Sequence, residues 1–225
     1  MKLTSLVVAP YAFAAFAGLW ATNAAADNLL VNGDFESPLD WTSGVSYNAG
    51  YSAFVGSQIP GWTIESGHAV TIHNTNAYPY IAGAFSVNMD GEGYNGHNAN
   101  LYQDFASTSG YQYQLSFDWQ GWFNDSNPQL DVSIVDLSDD SVLYHGNFGY
   151  SSNLMQESAS FHGTGNMLRL RVMESPESGY NDNAFIVDNF AVSVVAVPEP
   201  ETYALFIAGL GLLGVVSRRQ SRAVV

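Results

Sequence analysis

The chain of 225 residues carries 6 Lys and Arg against 21 Asp and Glu, a formal net charge of −15, and no cysteine. This acidic excess repels a phosphate backbone, which nearly excludes a nucleic-acid-binding protein. A hydrophobic content of 47% and an aromatic content of 14% supply enough apolar surface for a packed core, so a disordered chain is excluded as well. Without cysteine, the fold is expected to hold by packing, without disulfide bonds.

The first 26 residues have the order of parts of a secretory signal peptide. Lys2 precedes an apolar run from Leu6 to Trp20, and three alanines at 24–26 offer the small residues that a signal peptidase reads. A retained membrane anchor is the alternative, but the run is shorter than the about 20 residues of a spanning helix. We predict a signal peptide at 1–26, cleaved after Ala26.

Residues 27–196 read as short strands separated by clusters of Gly, Asn, Asp and Ser. The clearest is 111–119, where aromatic and aliphatic side chains alternate with polar ones, so that one face is buried. About nine strands are predicted, at 28–36, 62–73, 84–89, 99–105, 111–119, 130–137, 141–145, 168–172 and 184–195. This pattern predicts one all-β domain, an antiparallel β-sandwich or jelly roll.

The same 170-residue stretch contains 19 acidic residues and only two basic ones, Arg169 and Arg171. An excess of carboxylates attracts divalent cations and repels anionic polymers. The two arginines face the same way on one strand, where they could clamp an acidic sugar through bidentate hydrogen bonds. The alternative is that they offset neighbouring carboxylates across the sheet.

A sugar-binding site would need exposed rings flanked by amides and carboxylates, because a sugar offers a CH face for stacking and hydroxyls for hydrogen bonds. Such residues cluster at 119–125 and 94–98. The candidate ligand-binding residues are Trp119, Trp122, Tyr94, Asn124 and Asp125, together with the two arginines. The alternative is that the rings belong to the core, since Trp119 continues the buried period of its strand.

No catalytic motif stands out in the sequence. The five histidines form no HExxH motif, there is no Gly-x-Ser-x-Gly elbow, and there is no cysteine nucleophile. A glycosidase needs only two carboxylates about 5 to 9 Å apart, which the acidic residues could supply. We predict that the protein is not an enzyme, and a jelly-roll glycoside hydrolase or lyase using a carboxylate pair is the alternative.

The C-terminal segment 197–225 combines a Pro-Glu-Pro motif, an apolar stretch at 203–216 and an arginine-rich end. Prolines keep the motif extended, and the apolar stretch would measure about 21 Å as a helix, less than the about 30 Å of a hydrocarbon core. The arginines would stay on the cytoplasmic side. The motif residues are Val197, Pro198, Glu199 and Pro200, and the flanking arginines include Arg218 and Arg219.

This order of parts resembles the PEP-CTERM sorting signal of Gram-negative bacteria. The resemblance implies recognition by an exosortase, a membrane protease-transpeptidase, in bacteria that make extracellular polysaccharide. The protein would be exported, held at the cell envelope by a short hydrophobic helix at 203–216, and then processed and passed to the cell surface or beyond it. A plain tail anchor is the alternative.

The segments 28–36 and 185–192, with 59–62, 86–91 and 113–118, resemble the galactose-binding-like jelly rolls. Within that group the pattern is nearest to DUF642 domains and carbohydrate-binding modules, which implies binding of extracellular polysaccharide or a structural role in a biofilm matrix. Two features depart from the pattern. The plant DUF642 domains carry cysteines that this chain lacks, and the section 124–165 matches no named family.

The resemblance also implies a structural calcium ion that joins the first and last strands. Asp34 and Glu36 lie two residues apart in the first predicted strand, and Asp188 in the last strand would lie beside them. Calcium needs hard oxygen ligands at about 2.4 Å. The alternative is that Asp34 belongs to a turn and that Glu36 is a solvated side chain.

Overall fold

The computed structural model describes residues 27–37, 40, 43–44, 46–47, 50–66, 68–74, 81–91, 99–122, 129–174, 185–195 and 206–213. These ranges contain twelve strands, all paired in antiparallel fashion within two sheets. The prediction of an all-β antiparallel sandwich is therefore confirmed.

The strands follow one another as β1 (Ser46–Tyr47), β2 (Tyr51–Phe54), β3 (Thr63–Ile64), β4 (Val70–His73), β5 (Ser86–Asn88), β6 (Asn100–Ala106), β7 (Gln112–Gly121), β8 (Gln129–Asp136), β9 (Val142–Gly149), β10 (Met155–His162), β11 (Met167–Glu174) and β12 (Phe185–Val194). A seven-stranded sheet has the order β1-β2-β4-β5-β12-β7-β10. A five-stranded sheet has the order β3-β6-β11-β8-β9.

The core lies between the two sheets and follows from period-two alternation. In β7, β8 and β11 every second side chain is buried, and the intervening ones are half-buried or exposed. Apolar residues of the two inner faces interdigitate, as in other sandwiches. At one end the ring of Trp62 stacks on Phe35 at 5.2 Å and meets Phe190 at 5.5 Å, all three fully buried.

Residues 28–36 were expected to form the first strand, and this is wrong. The segment is a succession of turns, with Asn32 and Phe35 at φ near 55°. The side chains of Asn28, Asn32 and Asp34 accept hydrogen bonds from backbone amides two to five residues further on, which competes with a strand ladder. The segment still lies against β12, because Leu29 N donates to Val192 O and Phe190 N donates to Gly33 O.

Other predicted strands differ in extent or in sheet. The single strand expected at 62–73 is two strands, β3 and β4, in different sheets, separated by a turn in which His68 N donates to Glu65 O. Three strands were missed, β1, β2 and β10. Strand β10 contains few of the β-branched and aromatic residues that favour strands, so residue propensities do not predict it.

The two termini lie mostly outside the described residues, including the predicted signal peptide at 1–26 and the Pro-Glu-Pro motif. Of the expected helix at 203–216, residues 206–213 are described and are helical, with exposed apolar side chains. Across the described ranges, no helix has the length and apolar content needed to span a bilayer. Anchoring through 203–216 therefore stays a prediction.

Candidate functional site

The outer face of the five-stranded sheet brings polar and aromatic side chains from four strands into one row. In both β11 and β8 the even-numbered residues are buried in the core, so the odd-numbered residues lie on the outer face of the sheet. Tyr102 pairs with Arg171, Arg171 with Ser133, and Ser133 with His145, which defines the central row. This row runs across the middle of the sheet.

Arg169 lies beside the central row and is held by protein partners. Its Nε donates to Asp104 Oδ1 at 2.7 Å and its Nη2 donates to Asp104 Oδ2 at 2.9 Å, a bidentate pair. The guanidinium carbon also lies 3.8 Å from the centre of the Tyr102 ring. The hydrogen bonds to Asp104 raise the pKa of Arg169 above its usual value. Arg169 therefore offsets a carboxylate across the sheet, the alternative that the sequence left open.

Arg171 differs from Arg169 although both project from the same face of β11. Its side chain is half-buried, and its Nε is buried without a hydrogen-bond partner in the described part of the chain. Its cross-strand partners are Tyr102 on one side and Ser133 on the other, and neither is a carboxylate. Arg169 is thus held by protein groups, whereas Arg171 Nε has no hydrogen-bond partner among the described residues.

Carboxylates near the central row already have polar partners. Asp131 Oδ1 lies 3.0 Å from Nε2 of His145 and accepts a hydrogen bond from Asn147 Nδ2 at 2.9 Å. Glu65 accepts a short hydrogen bond from the side-chain amide of Asn100. The face therefore carries both hydrogen-bond donors and hydrogen-bond acceptors, and a hydroxyl group can interact with either kind.

The predicted ligand-binding tryptophans do not join this face. Trp119 is 3% exposed, and its ring packs against Phe148 at 5.6 Å and Phe185 at 5.7 Å, so the structure places it in the core, the alternative that the sequence left open. Its place in the buried period of β7 is the reason. Trp122 is half-buried, with its ring centre 4.9 Å from that of His73. Tyr94, Asn124 and Asp125 lie outside the described residues.

Two of the three predicted calcium ligands come together. Glu36 Oε1 accepts hydrogen bonds from Ala84 N at 2.7 Å and Phe85 N at 3.0 Å. Asp188 is 1% exposed, and its Oδ2 forms no hydrogen bond of good geometry with the described residues, while the backbone amide of Ala82 lies close enough to lower the pKa of Asp188. Burial, with smaller contributions from the charges of Glu36 and Asp118, raises the pKa of Asp188 to about 8. A buried carboxylate oxygen of this kind next to a second carboxylate fits a hard cation.

Asp34, the third predicted calcium ligand, does not join Glu36 and Asp188. It lies in the exposed turn, where its Oδ1 accepts from Glu36 N at 3.3 Å, and it lines a pocket of about 330 Å³ with Asn28, Asn32 and Asn189. Within the described ranges, no group of three or more His, Cys, Asp and Glu side chains is placed to share a metal ion. A cation held by Glu36 and Asp188 would therefore need backbone carbonyl oxygens as well.

A buried carboxylate pair, Glu174 and Asp90, is a further feature that was not predicted from the sequence. Glu174 is 3% exposed and Asp90 is 7% exposed, and neither carboxylate oxygen of Glu174 has a hydrogen-bond partner in the described structure. Burial, reinforced by the negative charge of Asp90, raises the pKa of Glu174 to about 9. Glu174 occupies the next inward position of the alternation in β11, so its burial could have been predicted from the sequence.

Solved structures with a similar fold share little sequence with this chain. An arabinose-bound α-L-arabinofuranosidase, MgGH51, has a TM-score of 0.52 and 13% identity, over 76% of this chain and 27% of that one. The galactotriose complex of the module TmCBM61 has a TM-score of 0.49 and 15% identity, over 76% and 100%. The CBM22-1 xylan-binding domain of Paenibacillus barcinonensis Xyn10C has a TM-score of 0.47 and 13% identity, over 77% and 98%. At these identities the likeness concerns the fold, and no curated protein matches the chain.

Two family models match different parts of the sequence. A PEP-CTERM protein-sorting motif covers residues 196–221, which marks an exported protein sorted at the cell envelope. The model described as protein of unknown function (DUF642) covers residues 28–193, nearly the whole sandwich. Both resemblances seen in the sequence are thereby confirmed, and the chain belongs to the DUF642 family.

Proposed function

We propose that this protein is an exported surface or matrix protein that binds an extracellular polysaccharide through the outer face of its five-stranded sheet. The observation that carries the proposal is the central row of Tyr102, Arg171, Ser133 and His145, in which a buried guanidinium nitrogen has no protein acceptor among the described residues. A polar group removed from water without a partner costs free energy, and hydrogen bonds between a ligand and the half-buried guanidinium group would offset part of this cost.

The chemistry of the row suits a carbohydrate. Arg171 can donate to sugar oxygens, Ser133 can donate and accept, and Asp131 beside the row can accept. Tyr102 adds an aromatic ring, whose position is fixed by the guanidinium of Arg169 at 3.8 Å. A few polar groups held in place on a rigid sheet are the usual elements of sugar recognition.

A substitution that covers the row should weaken binding strongly. In Ser133→Phe, a bulky ring would stand in the centre of the row, and the affinity for any glycan bound by the wild type should fall at least about ten-fold. The matched control is Ser160→Phe, because Ser160 is an exposed outward residue of β10 on the opposite sheet. Binding is measured on an array of extracellular polysaccharides, and melting curves verify that both variants are folded.

Three outcomes would contradict the proposed function. Either Ser133→Phe binds like the wild type, or both variants lose binding equally, or the wild-type protein binds no polysaccharide. A reducing-end assay on every bound glycan separates binding from the hydrolase or lyase alternative, since release of new reducing ends would assign a catalytic role.

We also propose that Glu36 and Asp188 hold a structural calcium ion between the N-terminal turn segment and β12. The bound ion would neutralise two carboxylates that the fold places close together. Asn189, at φ 54° in the bulge of β12, directs its backbone amide to Asp188 Oδ1 and its side-chain amide to Asp118. These contacts fix Asp188 Oδ1, while Oδ2 forms no hydrogen bond of good geometry with the described residues.

Millimolar calcium should raise the melting temperature by several degrees, because an ion that binds only the folded state stabilises it by RT ln(1 + [L]/Kd). Asp188→Asn should lose this response. Asp34→Asn should keep it, because Asp34 lies apart in the turn. The measurement is thermal unfolding with calcium and with chelator. Equal melting temperatures in the two conditions, or a full calcium response in Asp188→Asn, would refute the site.

A further inference from the structure

The two arginines of the sandwich are chemically equivalent but structurally different. Arg169 has a bidentate carboxylate partner in Asp104 and a ring partner in Tyr102. Arg171 lies one pleat further along the same face, in the middle of the sheet, with its Nε buried and unpartnered in the described structure. Although the body has 19 acidic residues, no carboxylate among the described residues is paired with Arg171 Nε.

Nearby carboxylates give no structural reason for Arg171. Asp104 is neutralised by Arg169, and Asp131 is hydrogen-bonded to His145 and Asn147. Glu65 is bonded to Asn100. Each of these acids is bonded to another residue, and among the described residues none accepts a hydrogen bond from Arg171 Nε. The guanidinium group of Arg171 can therefore serve an acceptor that comes from outside the protein.

We propose that Arg171 makes this face selective for polysaccharides that contain uronic acids, and this inference rests on the proposed function. The planar guanidinium matches a carboxylate with two parallel hydrogen bonds, a geometry that a hydroxyl group cannot reproduce. Such charge-assisted bonds are roughly twice as strong as neutral ones. The flanking residues Tyr102 and Ser133 then contact the sugar rings on either side, since cross-strand neighbours lie about 5 Å away.

The overall negative charge does not prevent this contact at physiological ionic strength. The body has a net charge of about −17, which would repel an anionic polymer at a distance. At 0.15 M salt, however, the Debye length is about 8 Å, so carboxylates on the far sides of the sandwich contribute little at the face. A half-buried ion pair is screened much less.

The test compares uronic-acid oligosaccharides with their carboxyl-reduced counterparts, which differ only in the charged group. Binding is measured at 0.15 M salt and fixed calcium for the wild type, Arg171→Gln, Arg171→Lys and the control Ser160→Phe. The wild type and the control should bind the acidic form at least about ten-fold more tightly. In Arg171→Gln this ratio should fall to about one. In Arg171→Lys it should be intermediate, because lysine keeps the positive charge but lacks the planar guanidinium that forms two parallel hydrogen bonds.

Equal affinity of the wild type for acidic and reduced forms would overturn the inference and leave the proposed function standing. So would an undiminished ratio in Arg171→Gln. Binding of neither form would reject both. Melting curves of all variants accompany the binding data, and an altered ratio in a variant that melts like the wild type assigns the selectivity to Arg171.

Discussion

Glu174→Gln is expected to be more stable than the wild-type protein at pH 8. Burial, together with the charge of Asp90, raises the pKa of Glu174 from 4.5 to about 9, so the folded protein keeps a proton that the unfolded chain releases. The stability that this proton gives is fully present below about pH 4.5 and is lost as the pH rises towards 9. Over that window one proton changes the free energy of unfolding by about 1.4 kcal/mol per pH unit.

Glutamine removes the titration because it is neutral at every pH and nearly the same size. The variant should therefore unfold with a weaker pH dependence than the wild type, and the gap between them should widen from pH 5 to pH 8.5. Urea unfolding at several pH values measures this difference. Glu157→Gln, on the half-buried side of β10, is the matched control and should follow the wild type. Parallel curves for Glu174→Gln and the wild type would contradict the expectation.

Strands whose alternation is strict were predictable from the sequence. In β7 five inward positions carry apolar or small side chains and the outward ones are polar, and the first three inward positions of β8 and of β11 are aliphatic as well. The pattern failed where local hydrogen bonds decide the backbone. Asn28 and Asn32 bond nearby amides and turn the segment 28–36 away from a strand, although its residues still pack on β12.

The site was only partly predictable, because its pairings depend on register. Period two places Arg169 and Arg171 on one face, but the β6–β11 register decides that Asp104 lies opposite Arg169 and that Tyr102 lies opposite Arg171. A shift of two residues would place Arg171 opposite Asp104 and Arg169 opposite Ala106. The same limit applies to Glu36 and Asp188, whose proximity follows from the docking of the turn segment on β12.

Replacement of Pro198, Glu199 and Pro200 by alanine is expected to keep the full-length protein in the membrane fraction of the native host. The two prolines are expected to keep the segment extended. Because proline cannot donate to a strand ladder, the backbone of the motif should stay accessible to a processing enzyme. Removing the motif should block recognition by the exosortase. The control is Glu201→Ala, next to the motif and outside it, which should be processed normally.

Processing rather than permanent anchoring is the expected fate because the apolar stretch at 203–216 is short. As a helix it would measure about 21 Å against a hydrocarbon core of about 30 Å, which imposes a mismatch cost. With Arg218 and Arg219 behind it, the stretch is still expected to halt translocation and orient the chain. Mass spectrometry of the wild-type protein should find a C-terminus close to Pro198 outside the cell or at its surface. If only intact protein ending at Val225 is found, with the arginines still joined to the domain, the prediction of processing is wrong and the tail is an ordinary anchor.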